Sequence, residues 1–119
     1  MESVAVFSLV RGCLVATPLH HLDAEGVRIF HADLSIRLQR ERVRGVVLDV
    51  SALDIMDAQD FAWVRNALRL TALMGCASVL VAVSPEVAAT LVRLGVDLSG
   101  VQAARTVDGA LDLLLGVAA

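Results

Sequence analysis

The chain has 119 residues and a formal net charge of -3, from thirteen acids against ten cations that are all Arg. Apolar residues make up 57% and aromatics only 3%, so a core has to be built from Val, Leu, Ile and Ala. The mildly acidic balance argues against a nucleic-acid binder or a polybasic membrane-surface protein, and no apolar run reaches the about 18 residues of a membrane span.

The length suits one domain over residues 1–119, large enough to bury a core without a disulfide or metal staple. Met1–Val10 carries Glu2 and no early cation, so it does not read as a signal peptide. Cys13 and Cys76 fit free thiols in a reducing compartment. The expectation is a soluble, cytoplasmic protein. A mean hydropathy of +0.73 is high for a monomer of this size and points to self-association.

In chain order, Val4–Val10 and Cys13–Leu19 are strand-like runs around the turn signal Arg11-Gly12, which predicts an antiparallel hairpin. Asp23 stands as an N-cap before Val27, Phe30, Leu34 and Leu38, a helical stripe. Arg37, Arg40, Arg42 and Arg44 load the far end of that helix, and Gly45 is expected to stop it. Val46–Val50 reads as a strand covered on both faces. Ser51–Met56 links it to a helix from Asp57 to about Met74, with Phe61, Val64, Leu68 and Thr71/Ala72 inward. Ser78–Val83 is a further buried strand. Ser84-Pro85-Glu86 opens a third helix with Val87, Leu91 and Leu94, stopped by Gly95. Val101–Arg105 is extended, and a last helix runs from about Val107 to Leu115. Strands alternating with helices imply an α/β fold: a mixed sheet of four to five strands, parallel but for its first edge, with about four helices.

The glycines form no phosphate-cradling loop. His20, His21 and His31 lack a familiar zinc spacing and read as surface or half-buried residues, and Cys76 has no base near it in sequence. Asp54, Asp57 and Asp60 recur every third residue across a strand-to-helix junction. They could serve as acid and base or bind a metal. Capping is the stronger reading, with Asp57 the N-cap and Asp60 its N3 partner at the positive end of the helix dipole. Trp63 falls off the inner stripe, which leaves an exposed binding anchor or a contact with a neighbouring helix.

The strand Val46–Val50, the turn Leu53-Asp54-Ile55-Met56 and Asp57-Ala58 opening a helix resemble the STAS domain family, the sulfate-transporter and anti-sigma-factor-antagonist module. Leu73–Leu80 resembles its helix, glycine, strand step; Ser84–Ala88 through Leu94–Leu98 resembles the stressosome branch, of the small RsbS-like scaffold type. Val101–Leu115 is similar to its closing strand and helix, so the likeness covers essentially the whole chain. It implies a non-enzymatic, cofactor-free regulator in a partner-switching pathway. Its partners would be a serine kinase or anti-sigma factor and other STAS domains, in a homo-oligomer, with no nucleic acid or membrane. The docking residues it implies are Asp54, Ile55, Met56, Asp57, Ala58, Gln59, Asp60 and Phe61.

In that family the position after the Asp57 equivalent is normally a phosphorylated Ser or Thr. Here it is Ala58, through natural loss or an engineered exchange. A phosphoserine adds about -1.5 to -2 charge, whereas a methyl group holds the surface neutral. Asp60 lies two residues on, facing elsewhere, and is a poor mimic; Ser51 is an alternative acceptor. A second class of function is a small-molecule or nucleotide sensor using Asp49, Ser51, Asp54 and Ser84 at the carboxyl ends of the strands. A flavodoxin-like enzyme ranks last, lacking a phosphate loop, a nucleophile–base pair and a metal set.

Overall fold

A computed structural model describes residues 4–81 and 83–116. The elements are β1 (Ala5–Val10), β2 (Cys13–Pro18), α1 (Ala24–Arg40), β3 (Val46–Asp49), α2 (Ala58–Leu73), β4 (Ser78–Val81), α3 (Pro85–Arg93), β5 (Ala103–Ala104) and α4 (Val107–Leu115). The sheet order is β1-β2-β3-β4-β5, with β1 antiparallel to β2 and every later pair parallel. The expected mixed sheet and four helices are therefore present.

The hairpin closes at Val10↔Cys13 across Arg11 (φ 53°) and Gly12 (φ 81°). Two successive positive φ values match the right-handed twist of the flanking strands. From β2 onward the strands follow in sequence order. Right-handed crossovers in one direction put α1, α2 and α3 on the same face of the sheet. The period-2 alternation of the strands sorts the core accordingly. Leu14, Ala16, Val46, Leu48 and Leu80 join Phe30, Leu34, Phe61, Val64 and Leu91 on that face. Cys13, Val15, Val47, Val79 and Val81 face Ala110 and Leu111 of α4 on the other. β3 and β4 read as unbroken apolar runs because both their faces are covered.

Several boundaries differ from expectation. α1 ends at Arg40, with Glu41 as its C-cap, so Arg42 and Arg44 lie in the following loop. Gly45 does not stop the helix. It is buried at the entrance to β3, where a Cβ would come within 2.8 Å of Leu114. Leu94 is the C-cap of α3 and is 53% exposed, because only Val87 and Leu91 face the sheet. β5 pairs over two residues only, and of the expected strand Ser78–Val83, Ala82 lies outside the described residues.

Candidate functional site

The junction between β3 and α2 is built by local hydrogen bonds. Val50 donates to Val81, and Leu53 donates back to Val50. The turn then drops Leu53 and Met56 into the core while leaving Asp54 and Ile55 outside. At the helix start, the Asp60 amide donates to the Asp57 carboxylate at 2.8 Å, and the Asp57 amide donates to the Asp60 carboxylate at 3.2 Å. This is a reciprocal capping box, which supplies acceptors to two backbone donors at a helix start. The backbone N–H of Asp60 is the main reason the Asp57 carboxyl is held below the usual carboxylate range, with His21 adding a weaker attraction.

Asp60 has further ties. Its carboxylate accepts from the Trp63 indole N–H at 3.4 Å and lies 3.3 Å from His21 Nδ1. Trp63 is buried. Its ring meets Phe30 of α1 edge-on, with centroids 5.7 Å apart, and its carbonyl lies 3.0 Å from His31 Nε2. Of the two readings of Trp63, the contact with a neighbouring helix is therefore borne out and the exposed anchor is excluded. The side chain is the contact between α1 and α2, because helices on one face of the sheet must pack side by side.

Two other expected docking residues also point inward. Met56 and Phe61 are each 1% exposed and belong to the main core, so neither contributes to the exposed surface of this corner. Asp54, Ile55, Asp57, Ala58 and Gln59 are exposed and contiguous, and Asp60 is half-buried beneath them. Ile55 is 72% exposed, an apolar side chain held out between carboxylates. Ala58 is the first residue of α2, and its methyl group is exposed at the helix mouth.

In the second set of expected residues, Asp49 and Ser84 are engaged by local hydrogen bonds. Asp49 accepts from the Ser51 amide at 3.0 Å, and Ser84 caps α3 by accepting from the Val87 amide at 3.1 Å. Each is used locally, and Asp54 is exposed on the turn. Strands in monotonic order also lack the reversal that opens a nucleotide crevice in doubly wound sheets. His20 and His21 are exposed, and His31 is half-buried. Among the described residues no group of three or more His, Cys, Asp and Glu is placed to hold a metal ion. Cys13 is sealed against α4, where burial pushes its thiol up. None of the helices in the described residues is long and apolar enough to cross a membrane.

The capping box is legible from local spacing; the ties of His21 to Asp60 and of His31 to the Trp63 carbonyl are not, because those partners are distant in sequence.

The STAS domain family model matches residues 9–110. Among solved structures, a serine-to-glutamate variant of RsbS from Moorella thermoacetica is similar at 29% identity. That match has a TM-score of 0.81 and covers 95% of this chain and 96% of that one. A chain from a structure of the stressosome, described as a signal integration and transduction hub, is 27% identical, with a TM-score of 0.77. It covers 94% and 97% of the two chains. The unphosphorylated anti-sigma factor antagonist SpoIIAA shares the fold at 20% identity, with a TM-score of 0.71 over 97% and 99%. No curated protein matches the chain.

Proposed function

The chain belongs to the STAS domain family, and we propose that it is a non-enzymatic scaffold of a partner-switching, stressosome-like pathway in the cytoplasm. It binds a serine kinase or anti-sigma factor through Asp54, Ile55, Asp57, Ala58 and Gln59, and assembles with other STAS domains. The likeness to RsbS and to a stressosome chain supports the scaffold role. The exposed apolar residues Val6, Leu9 and Val10 on edge strand β1 support self-association.

One observation carries the regulatory part: Ala58 is exposed at the mouth of α2, in the place the family resemblance gives to a phosphorylated hydroxyl. A phosphate there would be accepted by the helix N-terminus of its own domain, yet would place about two negative charges beside Asp54 and Asp57. A partner fitted to Ile55 and the Ala58 methyl would be repelled. With no hydroxyl at this position the surface is held permanently in its binding form.

Incubation with a switch-pathway serine kinase and ATP, followed by intact-mass and peptide mapping, tests this reading. The wild-type protein is expected to gain no phosphate on Ser51, the nearby hydroxyl, while an Ala58→Ser variant gains one phosphate at residue 58. Stoichiometric phosphate on Ser51 of the wild type, or none on the variant, would overturn it.

A further inference from the structure

A cavity of about 400 Å³ opens beside the carboxyl ends of β4 and β5, within the range of small-molecule sites. Phe61, Leu80 and Leu91, each at most 2% exposed, close its floor, and the surface it offers comes from Val83, Ala88 and Ala103. Its outer wall is Leu98 and Val101, from the loop between α3 and β5. That loop is tied down from outside. Arg65 of α2 donates to the backbone carbonyls of Asp97 and Ser99 and lies 3.5 Å from the Asp97 carboxylate. The Asp97 carboxylate in turn accepts from the Ser99 amide and hydroxyl. The outer wall is therefore held in place by its own bonds.

The rim carries one charged lining residue. Arg105 follows β5 directly, is exposed, and makes no hydrogen bond or ion pair among the described residues. A guanidinium presents a planar fork of donors matched to a carboxylate. Apolar walls with a single cation at the edge select a ligand with an apolar body and one anionic end. Neither a polyphosphate nor a neutral sugar fits that lining, since the walls offer their many acceptors or hydroxyls no partners.

We propose that this cavity binds a small amphiphilic monocarboxylate, such as a medium-chain fatty acid or an aromatic acid. The apolar part lies against Val83, Ala88 and Leu98, and the carboxylate lies on Arg105. The site uses none of the exposed docking corner at Ile55–Gln59, so it stands whether or not that corner binds a kinase.

Octanoate, with octanol as its neutral counterpart, is the probe, followed by amide NMR titration and calorimetry on the whole chain. Octanoate is expected to give saturable shifts at Leu98, Val101, Ala103 and Arg105. Arg105→Gln should weaken octanoate roughly tenfold or more while leaving octanol unchanged. Ala88→Phe, which fills the groove from α3, should remove both. The proposal is overturned if octanoate gives no saturable shift, or if Arg105→Gln binds it as tightly as wild type. It is equally overturned if Ala88→Phe alters the oligomeric mass while octanoate binding is absent, since the groove would then be covered by a second copy.

Discussion

His21, in the loop before α1, holds its imidazole 3.3 Å from the Asp60 carboxylate in the first turn of α2. The pair ties the exit of the hairpin to the mouth of the second helix, two segments separated by a whole crossover. Asp60 is thereby fixed on three sides, by the Asp57 amide, the Trp63 indole and His21. The side chain beneath the exposed corner is thus held by three partners from two segments of the chain.

The His21 tie is half-exposed and ionic only when the imidazole is protonated. His21→Ala is therefore expected to cost only about 0.5 kcal/mol in low salt, and less in 1 M salt. Urea unfolding at both ionic strengths measures it. A salt-independent loss would show that packing, and not charge, joins the two segments.

Trp63 is a packing residue. Trp63→Ala removes a buried ring wedged against Phe30, and the expected loss is about 3–5 kcal/mol. Ile55→Ala, on the exposed turn, should leave stability within about 0.5 kcal/mol of wild type. Denaturant midpoints separate the two. Near-wild-type stability of the Trp63 variant would contradict the role assigned to it.

The strands and the helix starts were legible because their causes are local. β3 and β4 announce themselves as apolar runs, and Asp23, Asp57 and Ser84 cap amides within three residues of themselves. The end of α1 was misplaced because Gly45 answers to Leu114, a contact made only once α4 folds over the sheet. The inward turn of Met56 is equally hidden, because a loop has no period from which to read a buried face. Phe61 differs: the helical stripe places it inward, as the structure does, and only the family resemblance puts it in the docking corner. The cavity at Arg105 was invisible for a related reason: its walls come from α2, β4, α3 and the segment leading into β5.

Acid should loosen the capping box. Asp57 has a folded-state carboxyl below its ordinary range, so its stabilising effect is complete above the unfolded-state value and fades as pH falls through the lower folded one. Asp57→Ala is expected to lower the melting temperature at neutral pH, with the gap to wild type closing in strong acid. Melting curves from pH 7 to pH 2 check this. A gap that persists at pH 2 would mean the carboxylate is not the stabilising group.

The most direct measurement compares wild type with Ala58→Glu for affinity toward the serine kinase or anti-sigma partner. A glutamate at the first position of α2 suits the helix dipole, so the fold and melting temperature should be retained. Partner binding is expected to weaken at least about tenfold, the cost of one unpaired charge facing an apolar contact. Equal affinity of the two proteins, with both folded, would contradict the docking role of this corner.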